Sequence, residues 1–207
     1  LWIKSIYAPD SLSFITPIKL AVNKNGNIIV ALTTSSASIN INESNYKISN
    51  NNNNVNFVIL LFHRTGKLLW MRHSNVFSAN NNGYANLEDL YFTDDNEVFI
   101  TGSYMGDSIF VGNEKLINKN FNFQNYFVFK YNVLGITEWI NTCDVTWVEM
   151  GAICGNKIIC DEENVYVVGY AEGQLGDIYF TQESFISNIA GRDIFIVSYD
   201  KKGNFRW

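Results

Sequence analysis

The sequence predicts an all-β protein built from three copies of one structural repeat. Four of the five tryptophans, Trp2, Trp70, Trp139 and Trp207, are separated by 68, 69 and 68 residues. The chain also contains 15 Phe and 11 Tyr but only 2 Pro, and aromatic and β-branched residues favour strands. A spacing that recurs along all 207 residues indicates repeats that stack on one another.

Each repeat begins with a predicted β-hairpin. In the first repeat, apolar segments at 18–22 and 27–32 flank a polar turn. The same pattern recurs at 89–92 and 97–102, and again at 157–160 and 164–169. Short apolar runs joined by turns rich in Asn, Asp and Gly are typical of antiparallel strand pairs.

A second hairpin follows in every repeat. Apolar runs at 56–62, 125–131 and 193–199 align without gaps, and each is followed by three turn residues and a glycine. These glycines, Gly66, Gly135 and Gly203, each lie four positions before a tryptophan. Glycine at the end of a tight turn supplies the positive φ that the turn requires.

Between strands two and three of each repeat lies a variable stretch, at 35–55, 104–124 and 170–192. The last two share a Gly-Asp motif at Gly106 and Gly176, followed by alternating apolar residues, which predicts an extra ribbon. Four strands per repeat is the content of one β-propeller blade. The predicted fold is therefore three four-stranded antiparallel blades, at 16–73, 86–142 and 156–207. Residues 1–15 would form the outer strand of a preceding blade and a linker, in a single repeat region.

These motifs resemble the SBBP-type β-propeller repeat of large secreted or surface proteins of microbes. The resemblance depends on the segments 164–169, 193–200 and 203–207 and on the insert that contains Gly176. It covers essentially the whole chain and is weakest in the first repeat, where Leu32 replaces the glycine that ends strand two elsewhere. It implies a propeller fold and an extracellular or cell-surface location, and it transfers no catalytic motif.

Three blades are fewer than a closed ring requires, because propellers close with about four to eight. We considered three arrangements: a part of a longer propeller, a protomer that pairs with a copy of itself into a six-bladed ring, and an open head-to-tail array. In each, apolar blade faces at both ends need a partner, either further blades or another protein.

The charge balance and the lengths of the apolar runs exclude two classes of partner. The net charge is −5, with 15 basic against 20 acidic residues and no basic cluster, so nucleic acid is not expected. No apolar run approaches the roughly 18 residues of a membrane helix, so membrane insertion is not expected either.

No catalytic, cofactor or metal site is predicted. The two histidines, His63 and His73, fall within the predicted strands and turns. The acidic turns 94–96 and 161–163 lack the spacing of a calcium loop, and we interpret them as solvated turns.

The cysteines leave two alternatives open. Cys143, Cys154 and Cys160 form no metal-binding motif, and we favour buried free thiols. The alternative is one disulfide, either Cys154 to Cys160 or Cys143 to Cys154.

Two surface features complete the candidates. Asn42 begins an Asn-Glu-Ser glycosylation sequon in the first insert. The four phased tryptophans are expected to pack between blades, while Trp147, which is out of phase, is the better candidate for a surface contact.

The predicted function is a non-enzymatic structural or adhesive module on an external surface, which binds protein partners through a rigid platform. The alternatives are a carbohydrate-binding lectin and a virion or filament component. An enzyme that uses the central channel is the least favoured.

Overall fold

The computed structural model describes residues 2–48, 54–80, 82–120, 123–187 and 191–207. Over these ranges the backbone forms nineteen β-strands and no α-helix, which confirms the prediction of an all-β protein. None of the described segments is a helix capable of crossing a membrane. Residues 49–53 of the first insert lie outside the described residues.

The strands follow the chain in three groups. The first group is β1 (Ile6–Tyr7), β2 (Ile15–Val22), β3 (Ile28–Thr34), β4 (Ser38–Ile41), β5 (Ser44–Lys47), β6 (Asn56–Phe62) and β7 (Leu68–Phe77). The second is β8 (Tyr84–Phe92), β9 (Val98–Met105), β10 (Ser108–Val111), β11 (Glu114–Ile117), β12 (Asn125–Tyr131) and β13 (Thr137–Asn141). The third is β14 (Asp144–Val145), β15 (Val148–Cys160), β16 (Asn164–Leu175), β17 (Ile178–Tyr179), β18 (Phe185–Ile186) and β19 (Arg192–Asp200).

These strands assemble into three larger antiparallel sheets, one for each repeat. The first repeat sheet has the order β11-β10-β7-β6-β3-β2, the second β13-β12-β9-β8 and the third β15-β16-β19. Two small sheets, β1-β4-β5 and β14-β17-β18, contain the remaining strands. All three inserts therefore contain a short hairpin, formed by β4 and β5, β10 and β11, and β17 and β18.

The number of strands differs from four in two of the sheets. The first sheet has six because the β10–β11 hairpin of the second insert joins its edge at β7. The third has three, and Phe205 makes only an isolated bridge to Tyr199 where the fourth strand is predicted.

The apolar core lies between successive repeat sheets. One cluster joins Phe57 and Ile59 of β6 to Phe127 and Phe129 of β12. A second joins the opposite face of the second sheet to the third sheet. Strands β6 and β12 are buried at every position, because both faces of each are covered.

The first strand of each repeat sheet, β2, β8 or β15, lies at an edge of its sheet and carries the same irregularity. In β2, β8 and β15 the pairing register shifts by one residue, next to Ile18, Glu88 and Asn156 respectively. Such bulges re-aim the side chain that follows. The same position of each repeat is therefore bent in the same way.

Candidate functional site

The most regular contact in the protein joins a tryptophan of one repeat to a glycine of the next. Trp70 donates its indole N–H to the Val133 carbonyl oxygen, 3.1 Å away. Its ring lies over Gly135, where an added β-carbon would be 2.9 Å from Trp70 Cδ2. Gly135 has φ +70°, so glycine is needed here both for its backbone conformation and for the close approach.

The same contact occurs in the two other repeats. Trp2 lies on Gly66 and donates to the Arg64 carbonyl oxygen at 3.0 Å. Trp139 lies on Gly203 and donates to the Lys201 carbonyl oxygen, also at 3.0 Å. Each of these three phased tryptophans therefore packs on the glycine of the following repeat, whereas the sequence places that glycine closest to the repeat's own tryptophan.

The fourth phased tryptophan has a different environment. Trp207 is 59% exposed, and the ring that it approaches is Tyr166 of its own repeat, with centroids 6.2 Å apart. By contrast, Trp70 is 8% exposed. Trp207 thus occupies the phased position of the other three tryptophans, but its ring packs on no glycine among the described residues.

The insert hairpins make a second recurring contact. Ile6 pairs with Ile41, Asn75 with Phe110 and Asp144 with Tyr179. In each case the first strand of the hairpin pairs with the segment that precedes the first long strand of its own repeat: β1, the end of β7 or β14. Both members of these pairs recur every 69 residues, so the inserts pair in the same way in each repeat.

A line of charged residues follows the bulges of β2, β8 and β15. Lys19 Nζ lies 2.5 Å from Asp89 Oδ1, and Lys157 Nζ lies 3.9 Å from Asp89 Oδ2. Asp89 is buried and also accepts a hydrogen bond from the Ile158 N–H. We call this Lys–Asp–Lys line the seam. It joins the three repeats at one equivalent position, and it becomes visible in the sequence only when the repeats are aligned.

Glu88, beside the seam, is a partly buried acid. Burial raises the pKa of its carboxyl group, and the nearby charge of Lys157 partly opposes that effect. Its proton affinity is therefore above that of a solvated glutamate.

A buried lysine forms another charged group, which the sequence did not reveal. Lys130 Nζ lies 2.7 Å from Glu97 Oε1 and 2.8 Å from Glu138 Oε2, over the ring of Phe99. Burial alone would lower the pKa of Lys130, but the hydrogen bonds and charges of Glu138 and Glu97 outweigh it and raise that pKa. The ammonium group therefore stays charged and joins β12 to β13 and to the residue that precedes β9.

The acidic turns that we considered for calcium are bonded within the protein. Asp94 accepts the backbone N–H of Lys24 and pairs with its ammonium group, and these contacts lower the pKa of Asp94. Asp161 accepts hydrogen bonds from the Tyr166 hydroxyl and from the backbone N–H groups of Glu163 and Asn164, which lower its pKa.

Asparagine side chains join the turns of the first two repeats. The Nδ2 groups of Asn23 and Asn27 both donate to Asn96 Oδ1 at 2.9 Å. Asn25 Nδ2 donates to the Asp94 carbonyl oxygen. Part of the asparagine content thus holds neighbouring turns together.

The structure has no disulfide where the sequence left one open. Cys143, Cys154 and Cys160 are free thiols. Cys154 and Cys160 are six residues apart on the single strand β15, a span of roughly 20 Å at about 3.3 Å per residue, while a disulfide needs Cα atoms within about 7 Å. The suggested bridge between them is therefore wrong, and the Cys143 to Cys154 bridge is not formed. Burial raises the pKa of Cys160 to about 12, so this thiol is unreactive near neutrality.

The remaining candidates are local. Asn42 is in the turn between β4 and β5 with φ +53°, and its Oδ1 accepts a hydrogen bond from the Ser5 N–H. His63 Nδ1 contacts the Thr65 hydroxyl within a turn, and His73 Nδ1 contacts the Ser74 carbonyl oxygen. Trp147 is exposed, and its carbonyl oxygen accepts the Gly176 N–H.

Two grooves lie near the third repeat. The first, about 540 Å³, has polar and aromatic walls formed by residues 142–146 and 179–182. The second, about 470 Å³, is more apolar and lies between β18 and β19, with Ile194, Ile196, Phe205 and Trp207 in its walls. Across the described residues, no group of His, Cys, Asp and Glu side chains is arranged to hold a metal ion.

Comparison with known proteins gives no family for this chain. No protein-family model matches it, and no curated protein matches it. The resemblance to the SBBP repeat therefore depends on the sequence motifs alone.

Proposed function

We propose that the three repeat sheets are consecutive blades of an SBBP-type β-propeller, and that this propeller is a non-enzymatic structural or adhesive platform on an external surface. The observation that carries the proposal is the recurring contact of Trp2, Trp70 and Trp139 with Gly66, Gly135 and Gly203. A contact of the same geometry at every junction is what radial repetition of one unit requires.

The platform binds protein partners through its variable inserts. The tips of the insert hairpins are exposed at Glu43, Asn113 and Glu183, while the first strand of each hairpin is paired, with β1, β7 and β14 respectively. Loops held on a rigid framework can differ in sequence without disturbing the core. Their chemistry then sets the specificity of the platform.

Binding to purified extracellular proteins tests this function. The chain is immobilised and exposed to fibronectin, fibrillar collagen and mucin. The triple variant Glu43→Ala, Asn113→Ala, Glu183→Ala should weaken binding about tenfold or more, since contact residues at an interface centre dominate affinity. The matched control, Lys67→Ala with Lys202→Ala, changes exposed turns outside the inserts and should bind normally. Absence of binding to all three proteins, or binding that the triple variant leaves intact, contradicts the proposal.

A lectin is the second candidate, and the polar groove favours it. Tyr179 lies in that groove with Thr142, Thr146 and Gln182. Aromatic rings combined with hydroxyl and amide groups suit a ligand such as a sugar. Glycan-array binding that Tyr179→Ala abolishes would support the lectin, and an empty array would remove it.

A further inference from the structure

The side of the third repeat sheet that faces away from the second sheet is apolar and exposed. We call it the C-terminal face and define it by Ile159, Ile194, Ile196 and Trp207. Ile194 and Ile196 are 75% and 59% exposed. Phe57 and Ile59, at the equivalent positions of β6, are fully buried by the second sheet.

The seam is also open at this end. Asp89 has a lysine on each side, so its charge is shared between the first and third repeats. The acids near Lys157, Asp89 and Glu88, both belong to the second repeat, and most of the Lys157 side chain is exposed. The order Lys, Asp, Lys leaves the next equivalent position favourable for an acid.

A second copy of this chain fits the C-terminal face poorly. In the register of the existing junctions, Lys157 would lie beside Lys19 of the copy, and like charges at an interface are unfavourable. Trp207 would also need the surface of Gly66, which Trp2 of that copy already covers. The first repeat of a second copy is therefore disfavoured for two reasons: its seam charge is positive, and its glycine surface is already occupied.

We propose that the C-terminal face binds a further repeat of this type that carries an acid at the position equivalent to Asp89 and an uncovered Gly-x-x-x-Trp glycine for Trp207. This inference rests on the proposed stacking of blades. It continues the two junctions already present, in which an apolar face, a tryptophan on a glycine and a seam charge meet together. It also specifies the occupant, since a repeat with lysine at the seam is disfavoured.

The test extends the chain after Trp207 with a duplicate of residues 71–139, which is in phase with the tryptophan spacing and carries an aspartate at the seam. Ile194→Cys reports on the face through the rate of thiol labelling. In the 207-residue chain this thiol should label freely. In the extended chain its labelling should be about tenfold slower or more, because it then requires local opening of the new junction.

Two further extended chains isolate the charge. Asp89→Lys in the duplicate only should recover most of the labelling rate, because Lys157 then faces a lysine. Glu114→Lys in the duplicate only makes the same change of charge at an exposed site and should label as slowly as the parent extension. Equal protection in all extended chains overturns the acid requirement while leaving blade stacking and the platform function standing.

An independent extension covers failure of the first duplicate to fold. It uses a duplicate of residues 3–70, in which Lys19→Asp supplies the acid and the unchanged Lys19 is its control. The acid version should slow labelling, and the lysine version should do so much less. If neither acid-bearing duplicate protects the thiol, or if the unextended chain sediments as a dimer with Ile194→Cys protected, the inference is wrong. Binding to extracellular proteins that persists in the same preparation would show that the platform function survives.

Discussion

Trp70 and Gly135 are 65 residues apart in the sequence, yet a β-carbon on Gly135 would lie 2.9 Å from the indole Cδ2 of Trp70. The turn that contains Gly135 and the outer strand of the preceding repeat are therefore held at contact distance. Gly66 and Gly203 contact Trp2 and Trp139 in the same way. A substitution at one of these three tryptophan–glycine contacts therefore tests the packing that all three share.

Gly135→Ala should lower the free energy of unfolding by about 2–4 kcal/mol, because it adds left-handed backbone strain to a steric clash. Gly191→Ala is the matched control: Gly191 has φ +96° but nothing within 4 Å of an added β-carbon. It should cost only about 1 kcal/mol. Urea unfolding followed by circular dichroism measures both, and equal losses would show that the Trp70 contact contributes nothing.

Trp70→Ala should cost about 3–5 kcal/mol, because it removes a buried ring and leaves the Val133 carbonyl oxygen without its indole donor. Trp207→Ala should cost less than about 1 kcal/mol in the same chain, since most of that ring is already in water. The two midpoints of thermal unfolding provide the comparison. A large loss for Trp207→Ala would mean that Trp207 is covered in solution.

Asp89→Asn tests the seam. It removes the negative charge between Lys19 and Lys157 and should cost about 1.5–3 kcal/mol, the range for hydrogen bonds to charged groups. Asp144→Asn disrupts the exposed pair of Asp144 with Lys119, whose N–O distance is 2.9 Å, and should cost at most about 0.5 kcal/mol. Urea midpoints at low and moderate salt distinguish them, and a seam variant as mild as the surface variant would contradict the buried role of Asp89.

Local patterns predicted much of this structure. Strands β6 and β12 have the bounds that their apolar runs indicate, because strands covered on both faces are almost continuously apolar. Strand β15 begins at Val148, well before the predicted start at residue 157. Its early part contains Gly151, which pairs with Gly173 of β16, and glycines weaken the sequence signal of a strand.

The contacts between repeats were less accessible to sequence reasoning. The spacing placed Gly135 near Trp139, but the ring that contacts it is Trp70, because stacking brings each turn against the preceding repeat. The bridge between Cys154 and Cys160 was suggested by closeness in sequence, yet an extended strand separates residues that are few positions apart. The ion pairs of Lys130 depend on residues from three separate segments and leave no local pattern.

Tyr131→Phe should stabilise the protein or leave its stability unchanged. The Tyr131 hydroxyl is fully buried and meets no hydrogen-bond partner among the described residues. Removing an unpaired buried polar group should contribute about 0–2 kcal/mol of stability. Tyr84→Phe is the control of opposite sign: the Tyr84 hydroxyl donates to Gln124 Oε1 at 2.9 Å, and its loss should cost about 0.5–1.5 kcal/mol. A clear loss of stability in Tyr131→Phe would show that its hydroxyl is paired in solution.

Alkaline pH should unfold the protein through its buried thiols and phenols. Burial raises the pKa of Cys143 from its ordinary value of 9.0 and that of Tyr131 from 10.0. Below about pH 9 these groups are neutral in both the folded and the unfolded chain, so their contribution to stability is complete. Above pH 9 for the thiol, and above pH 10 for the phenol, only the unfolded chain ionises. Stability should then fall by about 1.4 kcal/mol per pH unit for each such group.

Urea midpoints from pH 8 to pH 11 measure this fall in stability. Tyr131→Phe should reduce the slope above pH 10 by the share of one group. A midpoint that stays constant up to pH 11 would mean that these side chains ionise as easily in the folded protein as in the unfolded chain.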